Sequence, residues 1–357
     1  MSVTVASDLS VAAALALIRA RAGELDRHPR YPHEDLLALN TTGALRHAAA
    51  RGDGSLHEQI ALVRAVAKAD ASTARIVDGH LNGVERLVTA TWDVPDEEEL
   101  ALIEHGEVTI GVWGADPVGL EGRPAWIECA GADRRTLHGV KVFCSGAGGV
   151  DRALVVARDA AGARRLAYVD ARVGLRVDRD WYRASGLRAS ESHRVEFCAT
   201  PVLTLLGGPD ELAREPWFAR DGTRTAATWA GLADAIAELT GAGAADADLD
   251  AHQAAALGRM RVHISTIELW LEHATRQLTE GAPPDERSSA VALAARAAIA
   301  EAARAVSADA LVVGGSRALV AAEEIERCRR DLEVFVLQHR LEPALERLGY
   351  LTVDAPR

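Results

Sequence analysis

The chain has 357 residues, of which 48% are hydrophobic and 26% are charged, a balance that predicts a globular protein of two or three domains. Its net charge of −12 argues against binding to nucleic acid or to an anionic membrane, because both attract clustered Lys and Arg. The four cysteines form no Cys-x-x-Cys pair and the twelve histidines form no His-x-x-x-His pair, so we expect neither a disulfide framework nor a metal site. The opening residues lack a basic segment, from which we expect a cytoplasmic protein.

Helical patterning dominates the first third of the chain. Apolar residues recur at helical spacing over residues 11–22 and 56–74, and Pro29 and Pro32 lie between these two segments. We therefore predict helices there and assign residues 1–107 to an N-terminal α-helical domain.

From about residue 108 the pattern changes to short β-branched runs that are broken by glycine. The runs predict strands over residues 136–143, 153–157, 166–169 and 194–197. Turns are predicted at Gly114, Gly119, Gly122, Gly131 and Gly162. Residues 108–210 are therefore assigned to a central all-β domain, of ordinary domain size.

Helical periodicity then returns over residues 225–239, 254–278, 288–307 and 320–348. Short segments rich in glycine or proline, at 241–243, 281–284 and 314–315, separate these predicted helices. Antiparallel helices with such short connections favour a four-helix bundle over residues 211–357. The predicted fold class is a multi-domain α+β protein with the order α, β, α.

Three strings in the central domain carry a family resemblance. They are Gly139-Val-Lys-Val-Phe-Cys-Ser-Gly-Ala147, Arg152-Ala-Leu-Val-Val-Ala-Arg158 and Gly186-Leu-Arg-Ala-Ser-Glu-Ser-His-Arg-Val-Glu-Phe197. They resemble the flavin-holding β domain of the acyl-CoA dehydrogenase superfamily. The resemblance implies that superfamily's fold, with a helical domain, a β-barrel-like domain and a four-helix bundle. It also implies a bound flavin and a homodimer or homotetramer.

The first string contains the candidate flavin contacts Phe143 and Ser145. Period-two geometry places both on one face of a strand. From the residues alone, Phe143 is a core residue and Ser145 a turn residue, but the resemblance implies a ring against the flavin and a hydroxyl near its N5. Phe-Cys-Ser-Gly-Ala is similar to the flavin-dependent monooxygenase branch, such as the dibenzothiophene monooxygenases. Trp113 either lines the same pocket or packs in the β core.

The catalytic base has two candidates. In the superfamily a glutamate often follows an Arg-Asp pair by eight residues, and the corresponding residue after Arg330-Asp331 is His339. A histidine has an ordinary pKa of about 6.5, so it could accept or donate a proton, although a half-buried bundle histidine is the plainer interpretation. The second location, at the start of the first helix after the β domain, is occupied by Asp221, which could instead cap that helix.

The resemblance implies FAD, but the sequence leaves FMN open. Three aspartates, within residues 246–250, stand where FAD-binding members have an arginine for the diphosphate, and their charge would repel it. Gly314 and Gly315 retain the glycines of a motif that holds adenosine from a neighbouring subunit. Arg317 or Arg224 could replace the missing arginine.

We therefore predict a flavin-dependent oxidoreductase that acts on a small-molecule substrate. The preferred form is a two-component monooxygenase that uses oxygen and reduced flavin from a partner reductase. The alternatives are an acyl-CoA dehydrogenase with Asp221 as base, and a catalytically inactive member of the superfamily with a binding role.

Overall fold

The computed structural model describes residues 9–47, 56–89, 97–129, 134–279, 286–320, 323–338 and 341–354. Its N-terminal part is helical: α1 (Val11–Arg27), α2 (His33–Thr41), α3 (Ala44–His47), α4 (Leu56–Ala69), α5 (Ala71–Thr89) and α6 (Glu97–Glu104). The single helix predicted over 56–74 is two helices, because Asp70 interrupts it. The Asp70 carboxylate accepts a hydrogen bond from the Thr73 backbone N–H at 2.7 Å and so caps α5.

The central part is a small closed barrel. Its strands are β1 (Ile110–Trp113), β2 (Trp126–Cys129), β3 (Arg135–Cys144), β4 (Arg152–Arg158), β5 (Arg164–Asp170), β6 (Leu175–Asp178) and β7 (His193–Leu206). Five of them pair in the order β4-β2-β3-β7-β5, and β5 closes the ring by pairing antiparallel with β4. β1 lies parallel to β4, and β6 pairs with β7. The predicted β-barrel-like domain is confirmed, with β7 much longer than the expected 194–197.

The C-terminal part is helical again: α7 (Trp217–Ala244), α8 (Ala251–Thr279), α9 (Glu286–Gly314), α10 (Glu324–Gln338) and α11 (Glu342–Asp354). α7 packs on α8, α9 and α10. The separator predicted at 241–243 is wrong, because α7 continues through both glycines and a side chain at Gly241 would meet nothing. The long helix predicted over 320–348 is two shorter helices, and the predicted separator 281–284 lies outside the described residues.

The helices from the two ends of the chain share one hydrophobic core. One cluster of buried residues includes side chains of α1, α4, α5 and α7 to α10, whereas the barrel has a core of its own around Trp113 and Phe197. At the centre of the helical core, α4 approaches α7 so closely that a Cβ on Gly231 would overlap the Arg64 carbonyl. The domain bounds 1–107, 108–210 and 211–357 stay predictions, but the first and last of these segments pack as one body.

Among the described residues, no single helix has the length and apolar character to cross a membrane. One bent pair, Ser288–Leu319 with Glu324–Leu337, passes by length and composition, and it is bent by 117°. Within the same described ranges, no group of three or more His, Cys, Asp or Glu side chains is placed to hold a metal ion.

Candidate functional site

Phe143 lies on a bulge near the end of β3. The register with β7 shifts between Lys141 and Cys144, and Phe143 adopts a φ of 52°, in the left-handed region that bulky residues rarely occupy. The bulge breaks the period-two alternation on which the same-face prediction for Phe143 and Ser145 depended. As a result the Phe143 ring turns outward and is 45% exposed. A strained backbone that presents an aromatic ring is a feature typical of functional sites.

Two further aromatic residues surround this exposed ring. Trp181 meets Phe143 edge to face, with 4.9 Å between ring centroids and an interplanar angle of 77°. Tyr182 does the same at 6.5 Å and 87°. These contacts fix the orientation of the Phe143 ring and leave much of it uncovered. Phe143, Trp181 and Tyr182 together form an aromatic platform at the surface of the barrel.

Ser145, two residues further on, begins a chain of hydroxyl groups. Its Oγ lies 2.9 Å from the Oγ of Ser192, which lies 2.8 Å from the Oγ of Ser190. Ser190 in turn donates to the Leu187 carbonyl at 2.7 Å. Each hydroxyl has only one proton, so the carbonyl at the end sets the direction of the whole chain. Ser192 must therefore donate to Ser190, and Ser145 must donate to Ser192. A lone pair on the Ser145 Oγ remains available to accept a hydrogen bond.

Two hydrogen bonds to backbone groups fix the turn that contains Ser145. The Trp113 indole is fully buried in the barrel core, 6.3 Å from the Phe197 ring, and its Nε1 donates to the Ser145 carbonyl at 3.0 Å. The Gly146 N–H donates to the Ser190 carbonyl at 2.8 Å. Of the two predicted roles for Trp113, the structure therefore shows packing in the β core, and the residue supports Ser145 through its backbone.

The pair Arg330-Asp331 on α10 anchors the segment that carries the serine chain. The Leu187 N–H donates to the Asp331 carboxyl at 2.6 Å, while Arg330 binds Asp26 of α1 at 2.7 Å and the Ser185 carbonyl. Burial raises the pKa of Asp331 to about 7. This pair therefore has a structural task at the junction of barrel and helices.

Of the two candidate bases, the described contacts locate only Asp221. His339 lies outside the described residues. Asp221 is not a helix cap, because α7 begins at Trp217. Its carboxylate binds Arg86 of α5 directly and Arg224 at 2.8 Å. Asp221 thus belongs to a buried ion-pair network that joins α5 to α7.

The remaining predicted cofactor residues lie at a different place. Gly314, Gly315 and Arg317 follow one another at the end of α9, where Gly314 and Arg317 line a cavity of about 590 Å³ together with Gln253. Among the described residues, no residue of the barrel lines this cavity. Phe143 and Ser145 are thus two residues apart in the chain, with an exposed ring at one position and a buried hydroxyl at the other, and the Gly314 to Arg317 segment lines a separate cavity.

The sequence did not indicate several residues of the site. Ser190 and Ser192 lie within the third family-like string, but only the fold shows that their hydroxyls reach Ser145. Trp181 and Tyr182 lie between charged residues in an irregular segment, where no periodicity marks them. The signal that could have found them is the pair itself, since adjacent aromatic residues are uncommon in a chain with only 4% aromatics.

Comparison with solved structures defines the class of fold. The chain has the acyl-CoA dehydrogenase type of fold, as predicted, and it superposes on monooxygenases over nearly its whole length. No family model matches the sequence, and no curated protein matches it.

Three of the similar structures illustrate this class. Dibenzothiophene monooxygenase TdsC from Paenibacillus sp. A11-2, solved with FMN and indole, has a TM-score of 0.84 and 18% identity, over 96% of this chain and 95% of that one. A nitrososynthase from Micromonospora carbonacea var. africana has a TM-score of 0.84 and 23% identity, over 97% and 95%. Methanesulfinate monooxygenase MsuC from Pseudomonas fluorescens has a TM-score of 0.80 and 20% identity, over 96% of both chains. At such identities the likeness establishes the fold.

Proposed function

We propose that this protein is a flavin-dependent oxidoreductase, a two-component monooxygenase that receives reduced flavin from a partner reductase and oxygenates a small-molecule substrate. The observation that carries the proposal is the direction of the serine chain, which makes Ser145 an acceptor beside an exposed aromatic platform. The similarity to TdsC and MsuC, both named as monooxygenases, supports the same conclusion.

The residues around Phe143 fit a flavin. An isoalloxazine ring is flat and largely apolar, and Phe143 offers a ring that is 45% exposed and fixed by Trp181 and Tyr182. When bound, the flavin would supply the redox centre that reduces oxygen. The task of Phe143 would be to pack on the ring and exclude water from one side of it.

Ser145 would select the oxidation state of the flavin. Reduced flavin has an N–H at position 5, which is a donor, whereas oxidised flavin has a bare nitrogen there, which is an acceptor. Because the proton of Ser145 is committed to Ser192, its free lone pair matches the donor of the reduced form. A protein that receives its flavin already reduced needs this preference, and an enzyme that must hold oxidised flavin ready for a substrate does not.

The proposed flavin is FMN. TdsC was solved with FMN, and the acidic segment before α8 supports the smaller cofactor for this chain. Asp250 in that segment caps α8 by accepting from the His252 and Gln253 backbone N–H groups, both at 2.8 Å. This helix N-terminus is therefore already occupied by a carboxylate, and a diphosphate there would meet like charge.

We also propose that the protein works in the cytoplasm as a homodimer or homotetramer, assembled through a four-helix bundle of α7 to α10. The exposed Val262 and Leu269 support the assembly, because they lie two helical turns apart on α8. The cavity beside Gly314 and Arg317 would contribute to a flavin site only across such an interface.

The reduction potential of bound FMN tests the proposed role of Ser145. We expect the wild type to bind reduced FMN more tightly than oxidised FMN, and therefore to raise the potential above that of free FMN. Ser145→Ala should lower this potential by about 30 mV, which is a tenfold change in preference for a two-electron couple. Ser190→Ala should have a similar effect although Ser145 is intact, because the hydrogen bonds between the remaining serine hydroxyls lose their fixed direction. Unchanged reduction potentials in both variants would contradict the proposed role of the serine hydroxyls in selecting reduced FMN.

The type of reaction needs a separate measurement. Reduced FMN mixed with oxygen should return to the oxidised absorbance more slowly in the presence of the protein than alone. If acyl-CoA bleaches the oxidised flavin without oxygen, the protein is a dehydrogenase. If it takes up neither FMN nor FAD, the catalytically inactive alternative is correct.

A further inference from the structure

A polar cleft lies next to the aromatic platform. It has a volume of about 730 Å³ and is formed by the connection between α1 and α2, the loop after β6, the start of β7 and α10. Arginine dominates its charged lining, with Arg30, Arg179, Arg183, Arg188 and Arg330 against Asp180 and Glu191. We propose that this cleft binds an oxyanion, a carboxylate or a phosphate, that belongs to the substrate. This inference rests on the proposed function, to which it adds the chemical class of the substrate.

Three of the five arginines are neutralised by neighbouring carboxylates. Arg179 binds Glu191 at 2.9 Å, and Arg330 binds Asp26 at 2.7 Å. Arg30 binds Glu24 at 2.8 Å. The positive charge that remains must therefore come from the other two.

Arg183 and Arg188 provide that charge. Within the described part of the chain, neither guanidinium has a carboxylate partner, and Arg183 only donates to the Asp180 backbone carbonyl at 2.9 Å. Arg188 is half-buried, so its charge is poorly screened by solvent. Guanidinium groups bind carboxylates and phosphates through paired hydrogen bonds, and both of these are free to do so.

His193 is a second, independent sign of a missing ligand. Its side chain lines the cleft but is only 4% exposed, and neither ring nitrogen makes a hydrogen bond among the described residues. The Glu191 carboxylate comes within 3.2 Å of Nε2, but the two groups are not aligned for a hydrogen bond. A buried polar group without a partner is costly, and a ligand oxygen in the cleft would satisfy it.

The position of the cleft explains why the anion would belong to the substrate. The Tyr182 ring lies between Phe143 and His193, with centroid distances of 6.5 Å and 6.3 Å to them. A ligand bound near His193 is thus separated from Phe143 of the aromatic platform only by the Tyr182 ring. The anion would hold one end of a small molecule while its reacting end extends toward Phe143.

Inorganic phosphate, titrated calorimetrically into the full-length protein without flavin, tests the site. The wild type should bind phosphate, and Arg188→Gln should weaken the affinity at least tenfold, as expected for loss of a charge-assisted hydrogen bond. Arg183→Gln, on an exposed side chain, should weaken it by a smaller factor. Arg276→Gln, which removes an exposed arginine of α8, is the matched control and should bind like the wild type.

Two results would overturn the inference. The first is a wild type that binds no phosphate, or binding that neither Arg188→Gln nor Arg183→Gln alters. The second comes from FMN and riboflavin, which lacks the phosphate. If Arg188→Gln weakens FMN binding but not riboflavin binding, the oxyanion belongs to the flavin and not to the substrate. Because phosphate binding needs neither flavin nor oxygen, its failure leaves the proposed monooxygenase function standing.

Discussion

The indole N–H of Trp113 donates a hydrogen bond to the backbone carbonyl of Ser145, with 3.0 Å between the nitrogen and the oxygen. The bond connects the end of β1 to the turn that follows β3. Because Trp113 is fully buried, the position of the Ser145 hydroxyl depends on the core of the barrel. A substitution that no ligand can touch should therefore alter flavin binding.

Trp113→Phe should lower both stability and flavin selectivity. It removes the hydrogen bond to the Ser145 carbonyl and leaves a small cavity, which together should reduce the free energy of unfolding by about 2–4 kcal/mol. The potential of bound FMN should also fall, because the turn that presents Ser145 is no longer held. Urea unfolding and a redox titration measure the two effects. Trp270→Phe, on a half-buried tryptophan of α8, should leave the potential unchanged.

Phe143 should contribute backbone strain to the fold and binding energy to the flavin. Its φ of 52° costs an L-residue about 1–2 kcal/mol, and glycine does not have this cost. Phe143→Gly should therefore be more stable than Phe143→Ala by about 1 kcal/mol in urea unfolding. Both variants should bind FMN much more weakly than the wild type in a fluorescence titration. An alanine variant that is the more stable of the two would contradict the strain.

Two glycines of α7 should respond in opposite ways to the same substitution. A Cβ on Gly231 would overlap the Arg64 carbonyl and come within 2.9 Å of the Lys68 nitrogen, both on α4, whereas a Cβ on Gly241 would meet nothing. Gly231→Ala should force α4 away and lower the free energy of unfolding by about 2 kcal/mol or more. Gly241→Ala should raise it by up to about 1 kcal/mol, since alanine is the better helix former. Thermal unfolding followed by circular dichroism distinguishes them.

Asp331 should make the protein less stable as the pH rises. Burial raises its pKa to about 7 in the folded protein, above the ordinary value of about 4, so the folded state favours the protonated carboxyl. Its contribution is fully present below about pH 4 and is lost as the pH rises through 7, by up to about 4 kcal/mol. Asp331→Asn should lack this loss. In urea unfolding from pH 5 to 8, the free energy of unfolding of the variant should therefore rise relative to that of the wild type. Asp331→Ala removes the Leu187 hydrogen bond and should be less stable at every pH.

The sequence was sufficient for the α, β, α order, because helical segments and β segments have different periodic patterns. It did not predict the short strands β1, β2 and β6. The family-like strings also located Phe143 and Ser145. The sequence could not reveal the bulge at Phe143, which depends on pairing with β7, or the serine chain, which closes over 47 residues of sequence. Asp221 illustrates the same limit, since its partner Arg86 is 135 residues away and turns a candidate base into part of a buried network.

The shared helical core has a consequence for how the chain is made. Arg64 of α4 binds Asp234 of α7 across 170 residues, and the entire barrel lies between them in sequence. During synthesis the first helices emerge long before α7, so their apolar faces have no permanent partner until the barrel has been completed. A fragment that ends after the barrel should therefore expose the inner faces of α4 and α5 and aggregate. The barrel lies in sequence between two sets of helices that share one hydrophobic core, so we expect these helices to fold together.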